Sequence, residues 1–390
     1  MRGDLSWRVV EVNTFGQVVD ELPLPNKAEP GRNLYLSLDV DLQQKAEEIM
    51  EGKTGAIVAL DPRDGSVMAM VSKPDFSPDI FTDSNTIKER NSLIKRTDKP
   101  LLNRAIMGKY PPGSTFKIIT ATAGLEEGLI NEDTRFFCGG GLRVGNRWFR
   151  CHRSRGHGSL SIHQALPQSC NVFFYSVAYK AGLSVPSIHK YALMYGLGNE
   201  TGIDLPGEVK GNIPEKGLHA ADKVNMAIGQ GAILVTPLQM ANVMSVIANR
   251  GFSYKPHVVN RAKLLQESKP DILVDLREKV SIETIDVIRN ALKNVAKSGL
   301  NKEVKLKGLQ TCGKTGTAQN PHGDEHSWFI GFAPFNNPKI VLAVIVENAG
   351  RGSEVAAPIA GQIFAQYFYG KTDQQDTQLV KAKPNSSNVR

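Results

Sequence analysis

The sequence predicts an α+β domain in which helices flank an antiparallel sheet and a helical block is inserted between its strands. Two observations predict this class: strand-like segments lie toward both ends of the chain, and helical patterns dominate the middle. Strands and helices segregated in this way along a chain are typical of α+β architecture. With 390 residues, 41% of them hydrophobic, the chain is long enough to bury a large core.

The N-terminal residues 1–36 alternate apolar and polar positions, which predicts a β-hairpin that turns at Gly16 and runs into the Pro-rich stretch 22–31. A lone hairpin does not make a domain. We therefore interpret residues 1–36 as the remnant of a truncated N-terminal module and residues 37–370 as the main domain. The tail, residues 371–390, is polar and is expected to be disordered.

The remaining elements follow from hydrophobic spacing and from Gly and Pro positions. Hairpins are predicted at residues 54–72, around an Asp-Gly turn, and in irregular form at 134–158, with a long polar loop reaching to about residue 100 between them. Helices are predicted at residues 37–52, 111–129, 161–182, 186–196, 236–249, 282–297 and 354–369. Antiparallel strands are predicted at residues 309–319, 326–335 and 339–348.

Charge and hydropathy exclude some function classes. The net charge of +8 would suit an acidic partner, but no basic run is longer than a few residues and no nucleic-acid motif occurs, so nucleic-acid binding is not expected. No apolar run reaches the ~18–20 residues that span a bilayer, and the first residues do not resemble a signal peptide.

Ser114 and Lys117 form a Ser-x-x-Lys motif at the start of a predicted helix, directly after Pro-Pro-Gly. Residues at i and i+3 share a helix face, so a neutral lysine can take the proton of the serine and activate it as a nucleophile. The helix N-terminus favours developing negative charge. The spacing alone is weak evidence, because it recurs at residues 92–95 and 187–190, which we interpret as surface pairs.

A second motif, Ser169-Cys170-Asn171, lies in the helical block. Its serine and asparagine can hydrogen-bond a base, a leaving group or a substrate amide. A third motif, Lys-Thr-Gly-Thr at 314–317, opens a late strand. There Lys314 can bind an anionic group and Gly316 leaves room for a ligand, while Thr317 can donate to a carboxylate and complete an oxyanion hole.

The three motifs occur in the order and settings that typify penicillin-binding proteins and serine β-lactamases, whereas similar triplets at 53–55 and 386–388 do not. Six segments, NRAIMGKYPPGSTFK, SCN, TGIDLPGE, IGQGAILVTPLQMANVMSVIANRG, GKTGTAQ and SWFIGFAP, are similar to class B penicillin-binding proteins, and the resemblance covers about residues 30–369. Within that class, HGSLSIHQALPQSCNVFFY and the insert rich in Cys and His most resemble the elongation transpeptidases.

The resemblance implies the penicillin-binding, serine β-lactamase-like transpeptidase fold, with the N-terminal remnant belonging to a pedestal module. It implies that Ser114 is acylated by the penultimate D-Ala of a stem peptide, with Lys117 as general base. Ser169 and Asn171 would assist proton transfer and hold the donor peptide. The N–H groups of Ser114 and Thr317 would form the oxyanion hole.

In the third motif, the resemblance implies that Lys314, Thr315 and Thr317 bind the terminal carboxylate of the substrate beside Gly316. The implied partners are peptidoglycan stem peptides ending in D-Ala-D-Ala, β-lactam antibiotics and a polymerising glycosyltransferase of the shape, elongation, division and sporulation (SEDS) type. The implied location is the periplasmic face of the bacterial inner membrane, through an anchor absent from this sequence. The alternatives are a serine β-lactamase or β-lactam sensor, and a non-catalytic scaffold.

Cys138, Cys151, His157 and Cys170 offer three sulfur ligands and one nitrogen ligand, which suits a structural Zn²⁺. The resemblance supports this reading, because related elongation transpeptidases have a zinc site beside the second motif; catalysis itself needs no cofactor. The spacing leaves other possibilities open: a Cys138–Cys151 disulfide, His152 as the nitrogen ligand, or buried free thiols. The fourth cysteine, at 312, is expected to point into the sheet.

Overall fold

The computed structural model describes residues 10–21, 31, 33–82, 86–217, 219–260, 269–293, 306, 308–321 and 323–370. By its contacts the chain divides into two units, residues 1–37 with 259–268 and residues 38–258 with 269–390. The predicted division into a remnant module, a main domain and a tail stays a prediction. The Pro-rich stretch, apart from Gly31, and the whole tail lie outside the described residues.

The smaller unit contains the predicted N-terminal hairpin, made of β1 (Val10–Val12) and β2 (Val18–Glu21) in antiparallel register. The turn lies at Gly16, whose φ of +76° is the left-handed conformation that glycine adopts without steric cost. The side chain of Asn13 accepts hydrogen bonds from the N–H groups of Phe15 and Gln17, which closes the turn.

The larger unit contains ten α-helices among the residues described: α1 (Val40–Ile49), α2 (Ile87–Lys95), α3 (Lys117–Glu126), α4 (Ile162–Ala165), α5 (Asn171–Tyr179), α6 (Val185–Met194), α7 (Ala220–Met226), α8 (Pro237–Ala248), α9 (Ile282–Lys293) and α10 (Ala356–Tyr369). Its strands are β3 (Gly55–Leu60), β4 (Val67–Lys73), β5 (Phe136–Cys138), β6 (Gly141–Val144), β7 (Arg147–Arg150), β8 (Gly158–Leu160), β9 (Phe252–Tyr254), β10 (Ile272–Asp275), β11 (Cys312–Ala318), β12 (His326–Ala333) and β13 (Ile340–Val346). Single 3-10 turns span Pro78–Phe81 and Gly113–Phe116.

The main sheet has five strands in the order β11-β12-β13-β3-β4, and every neighbouring pair is antiparallel. The hairpin β3–β4, predicted at residues 54–72, thus joins the three C-terminal strands in one antiparallel sheet. All seven residues of β13 are buried, because helices cover both faces of the sheet and side chains alternate between them. The Lys-Thr-Gly-Thr motif at 314–317 lies on β11, at the edge of this sheet.

Helices cover the two faces differently. On one face, α1 and α10 pack in a smaller core through residues such as Leu42 and Phe364. On the other face, α8 is buried along its whole length, which is the pattern of a central helix surrounded by protein. Its start is fixed by Pro237 in the first turn and by a reciprocal capping box between Thr236 and Gln239.

Two sequence predictions differ from the structure. The predicted helix at 161–182 is broken into α4 and α5, because Ser169 between them has a φ of +54°, outside the helical region. The polar loop predicted before residue 100 contains the short helix α2. This helix buries one residue, Leu93, so its sequence lacks the apolar spacing that predicts a helix. The end of the predicted helix 282–297 lies outside the described residues, as does the start of the first hairpin.

No helix in the described part of the chain combines the length and apolar character that crossing a bilayer requires.

Candidate active site

Ser114 lies on a tight turn that meets strand β11. The 3-10 turn Gly113–Phe116 leads directly into α3, so the predicted helix begins with this tighter geometry. Gly113 has a φ of +55°, and a Cβ there would lie 2.8 Å from the carbonyl oxygen of Thr317. The close approach of turn and strand therefore requires a glycine before the serine. Ser114 itself is half-buried at the start of the helical segment.

Two contacts that the sequence analysis missed hold this turn in place. The N–H of Gly113 donates to the carbonyl of Gly229 at 2.9 Å, and the indole N–H of Trp328 donates to the carbonyl of Pro111 at 3.0 Å. A Cβ on Gly229 would lie 2.3 Å from the carbonyl oxygen of Gly113. Gly229 and Trp328 lie in segments that resemble the family but had no role assigned to them. That resemblance was the signal by which the sequence could have identified these two residues.

Lys117 is fully buried one turn after Ser114. Its Nζ donates to the backbone carbonyl of Ser169 at 2.8 Å, to Oδ1 of Asn171 at 2.6 Å and to Oγ of Ser169 at 3.2 Å. Burial lowers the pKa of Lys117 to about 8, although the nearby cysteines Cys151 and Cys170 act in the opposite direction. A lysine with this pKa is partly neutral near neutral pH and can accept a proton.

The break between α4 and α5 brings the second motif to this lysine. Ser169 occupies the left-handed region, which is costly for a residue with a side chain and persists only where the surroundings impose it. Here Lys117 bonds to both its carbonyl and its hydroxyl, and Asn171 begins α5 directly afterwards. The backbone reversal therefore aims Ser169 and the amide of Asn171 at one ammonium group.

Lys314 approaches the same hydroxyl from the sheet. It is fully buried on β11, and its Nζ donates to Oγ of Ser169 at 3.0 Å and to the carbonyl of Thr315 at 2.8 Å. Burial and the charge of Lys117 hold the pKa of Lys314 well below its usual value. Ser169 thus accepts from two lysines, which leaves its hydroxyl proton free to be donated.

The rest of the third motif forms the edge beside the serine. A Cβ on Gly316 would lie 3.0 Å from the carbonyl oxygen of Pro112, the methyl group of Thr115 and Cβ of Trp328. These protein atoms fill the space on that side of Gly316, and its predicted role in substrate binding stays a prediction. Thr317 is half-buried next to the turn, and its Oγ1 accepts from the N–H of Gly352 at 3.3 Å.

The three motifs thus meet as the sequence predicts, with one difference in detail. Among the hydrogen bonds of the described residues, those from Lys117 and Lys314 reach Ser169, and none joins either lysine to Oγ of Ser114. Catalytic hydrogen bonds are often long in a ligand-free enzyme and tighten only when substrate binds. The site therefore combines half-buried Ser114 with partly neutral Lys117 one turn further along the chain. The hydroxyl of Ser169 offers a second group through which protons can pass.

The cysteine and histidine cluster lies against this centre. The ligand atoms of Cys138, Cys151, His157 and Cys170 all lie within 4.8 Å of one another. Nδ1 of His157 is 3.5 Å from both the Cys138 and the Cys151 sulfur. Zinc bond lengths of about 2.3 Å to sulfur and about 2.0 Å to nitrogen, at tetrahedral angles, require a ligand separation of roughly 3.5 Å. The donor set and its spacing therefore fit one tetrahedral zinc ion.

The alternatives for the cluster differ in how well they fit. All four cysteines are free and buried, so no disulfide joins Cys138 to Cys151. The ring of His152 lies 4.9 Å from that of His157 at an angle of 57°, and its Nδ1 lies 3.9 Å from the Cys151 sulfur. The group of close ligand atoms includes His157 and not His152. Cys312 is buried on β11 away from this group, in line with its predicted place in the sheet.

Fold and site together define the class of acyl-transferring serine enzymes that carry the Ser-x-x-Lys, Ser-x-Asn and Lys-Thr-Gly motifs. The chain belongs to the family described as the penicillin-binding protein transpeptidase domain, which matches residues 55–365. This confirms the resemblance that the sequence motifs carry and the fold that it implies.

Comparison with individual proteins shows which members of this family the chain resembles. The chain is 33% identical to the peptidoglycan D,D-transpeptidase MrdA of Acinetobacter baumannii, over 93% of this chain and 58% of that protein. It is similar to the crystal structure of Pseudomonas aeruginosa penicillin-binding protein 2 in complex with WCK 5153, with 30% identity, a TM-score of 0.80 and coverage of 91% of this chain and 80% of that one. It also matches a chain of a peptidoglycan synthase complex whose structure concerns the coordination of polymerization and crosslinking. There the identity is 32% and the TM-score 0.83, over 96% of this chain and 69% of that one.

The chain spans 58%, 62% and 60% of the length of three MrdA relatives, from Acinetobacter baumannii, Haemophilus influenzae and Escherichia coli.

Proposed function

We propose that this chain is the catalytic part of a peptidoglycan D,D-transpeptidase that cross-links stem peptides during cell-wall elongation and rod-shape maintenance. One observation carries the proposal: buried Lys117 and Lys314 converge on Ser169 beneath the turn that carries Ser114. The similarity to MrdA and to penicillin-binding protein 2 supports the elongation role.

In the acylation step, Oγ of Ser114 attacks the carbonyl carbon of the penultimate D-Ala while neutral Lys117 takes the hydroxyl proton. The N–H groups of Ser114 and Thr317 hold the developing oxyanion. When the peptide bond breaks, the amine of the terminal D-Ala leaves and takes a proton, which Lys117 can return through the hydroxyl of Ser169. The products are an acyl-Ser114 ester and free D-Ala.

Substrate binding is assigned to the strand edge. Lys314 supplies positive charge, and the hydroxyls of Thr315 and Thr317 donate to the terminal carboxylate beside Gly316, while Asn171 holds the donor peptide. In the second step the neutral amine of a neighbouring stem peptide attacks the ester carbonyl, and the proton it loses returns to Ser114. A β-lactam carries a strained amide in place of the scissile peptide bond, so its opening leaves a penicilloyl ester on Ser114.

The test is intact-protein mass spectrometry after incubation with benzylpenicillin, with Ser114→Ala as the matched control. We expect a stable penicilloyl adduct on the wild type and none on the variant. Rapid loss of penicillin without an adduct would identify a β-lactamase instead. A folded protein that neither binds nor consumes penicillin would identify a non-catalytic scaffold and overturn the proposal.

We also propose that Cys138, Cys151, His157 and Cys170 hold a structural zinc ion. When bound, the ion would cross-link four separate chain segments through metal–ligand bonds. Cys170 lies between Ser169 and Asn171, so fixing its sulfur would hold Ser169 in the left-handed break and Asn171 at the start of α5. The hydrogen bonds from Asn171 Nδ2 and from the Tyr175 hydroxyl to the Arg150 carbonyl, at 3.5 and 3.4 Å, attach α5 to the strand that precedes Cys151.

Metal analysis of protein purified without chelator or oxidant is expected to find about one zinc per chain. Removal of the zinc by a chelator is expected to lower the melting temperature and to slow acylation of Ser114, because Ser169 and Asn171 lose their anchor. Metal-free protein with native stability and native acylation would contradict this assignment.

The whole protein is proposed to act at the periplasmic face of the inner membrane, beside a SEDS-type glycosyltransferase that polymerises the glycan strands. The support is the similarity to a chain of the peptidoglycan synthase complex that couples polymerization and crosslinking. Co-purification of the full-length protein with such a polymerase from membranes tests this partner, and its absence from a tagged full-length preparation would contradict it.

A further inference from the structure

One stretch of the chain has a charge balance unlike the rest. Residues 134–199 contain no Asp or Glu, although Lys and Arg are otherwise interspersed with acids. Five arginines of this stretch are exposed within the short segment 143–155: Arg143, Arg147, Arg150, Arg153 and Arg155. Among the ion pairs of the described residues, none involves these five side chains. Clustered like charges without counterions repel one another and favour binding of an anion.

The β6–β7 hairpin presents part of this charge together with an aromatic ring. Arg143 is paired across the hairpin with Trp148, and Gly141 with Arg150. Leu142 and Phe149 point the other way and are buried, as strand alternation requires. The outward face of the hairpin therefore carries an indole between two guanidinium groups.

Trp148 is 56% exposed, an unusual position for the largest side chain. Its ring lies across Gly141, where a Cβ would come within 2.4 Å of the indole. The glycine thus lets the ring lie against the hairpin backbone, with one face free. Exposed tryptophan flanked by arginine is typical of binding surfaces, because the indole offers a rigid apolar platform and arginine binds carboxylates with two parallel hydrogen bonds.

This face adjoins the active site directly. The carbonyl of Arg150 accepts from Nδ2 of Asn171 at 3.5 Å, and Oδ1 of Asn171 accepts from Lys117 at 2.6 Å. Lys314 on the edge strand β11 contacts the same centre, because its Nζ donates to Oγ of Ser169. A peptide bound along the arginines would therefore end beside the acylated serine, on the α5 side of the centre.

We propose that Arg143, Trp148, Arg150, Arg153 and Arg155, together the arginine hairpin surface, bind the carboxylate-bearing acceptor stem peptide. This deepens the proposed function and rests on it, because the terminal carboxylate of the donor is assigned to Lys314 and β11. The acceptor must attack with a neutral amine, and a positively charged surface disfavours protonation of a nearby amine while it attracts carboxylates. The surface therefore suits the acceptor stem peptide, because it attracts the carboxylates and keeps the attacking amine neutral.

The experiment measures binding and transfer separately. The probe is a synthetic stem peptide with its free carboxylates, compared with the same peptide with its carboxylates amidated. Binding is followed by the fluorescence of Trp148 and by calorimetry, and transfer by the acceptor KM with a thioester donor. In the wild type we expect the free-carboxylate peptide to bind about tenfold more tightly than the amidated one, and the preference to shrink with added salt.

The test variant is Arg143→Gln/Arg150→Gln, and the matched control is Lys180→Gln/Lys190→Gln, which removes the same charge from the same acid-free stretch. The test variant is expected to lose the preference for free carboxylates and to raise the acceptor KM about tenfold; the control is expected to keep both. Penicilloyl adduct formation on each protein reports whether the Ser114 site is intact.

Equal binding of the two peptides by the wild type, or an unchanged preference in the test variant, would overturn the inference. So would a variant that loses binding to phosphatidylglycerol vesicles and keeps its acceptor KM, because the surface would then serve a membrane. If the wild type binds the free-carboxylate peptide selectively but forms no acyl-enzyme, the proposed function fails while the binding surface stands. The two failures are thereby distinguished.

Discussion

Two of the regions that contain buried cations treat them in opposite ways. Arg104 is 4% exposed, and its guanidinium donates to the carboxylate of Glu347 at 2.8 Å, which also accepts from the Tyr110 hydroxyl at 2.6 Å. Lys117 and Lys314 are fully buried, but the acceptors that their hydrogen bonds reach are hydroxyl, amide and carbonyl oxygens.

The difference in hydrogen-bond acceptors distinguishes Arg104, whose charge has a structural role, from the two lysines, which can exchange protons. A buried cation that is paired and fully hydrogen-bonded keeps its proton, and loss of either partner leaves an uncompensated charge. A buried cation without a carboxylate is destabilised in its charged form, which lowers its pKa toward the range where it can exchange protons. Tyr110 lies four residues before Ser114, so the paired region braces the chain that carries the nucleophile.

The largest expected effect follows from removing the reactive charge. Lys117→Met is expected to slow acylation by benzylpenicillin about 10³-fold or more, because the serine loses its proton acceptor. The free energy of unfolding is expected to change by less than about 1 kcal/mol, since relief of desolvation offsets the lost hydrogen bonds. Stopped-flow acylation and urea unfolding measure the two. Retained acylation, or severe loss of stability, would break the contrast with Arg104.

The reciprocal change removes the structural charge. Arg104→Met is expected to lower the free energy of unfolding by about 3 kcal/mol, because Glu347, whose side chain is 20% exposed, is left partly buried without its partner. Lys45→Met removes a partner of the exposed Lys45–Glu48 pair and is expected to cost less than about 0.5 kcal/mol. Urea unfolding of both variants gives the comparison, and equal costs would show that burial of the Arg104 pair does not matter.

The pH profile of acylation sharpens the comparison with a smaller effect. The pKa of Lys117 is lowered to about 8, so the neutral, proton-accepting form grows as pH rises through that value. We expect the acylation rate to rise about tenfold between pH 7 and pH 9 and then to level off. A flat profile, or one that falls as the pH rises, would contradict lysine as the general base.

Local sequence patterns predict part of this site, but the parts that depend on residues distant in the chain could not be predicted. The Ser114–Lys117 pair and the strand at 314–317 were predictable, because the i,i+3 spacing and the strand alternation are local properties. The break at Ser169 was not, since the sequence around it reads as helix and the left-handed residue is stabilised by lysines more than 50 positions away. Arg104 and Glu347 are likewise separated by 243 positions, and no local pattern pairs them.

The same limit applies to Gly229 and Gly316. The sequence gives Gly229 no role and places Gly316 only within the third motif, and the fold alone reveals that backbone atoms of the turn that carries Ser114 lie against both. For the cysteine cluster, the residue types predicted the set with His157 and left His152 open as an alternative, and the three-dimensional distances group His157 with the three cysteines.

The central claim is that Ser114, and not the doubly hydrogen-bonded Ser169, is the nucleophile, with the buried lysines acting beneath it. Peptide mapping of the benzylpenicillin adduct tests this most directly, because proteolysis and tandem mass spectrometry locate the penicilloyl group on one side chain. The account predicts the group on Ser114 in the wild type and no adduct in Ser114→Ala. A penicilloyl group on Ser169, or an adduct that persists in Ser114→Ala, would contradict it.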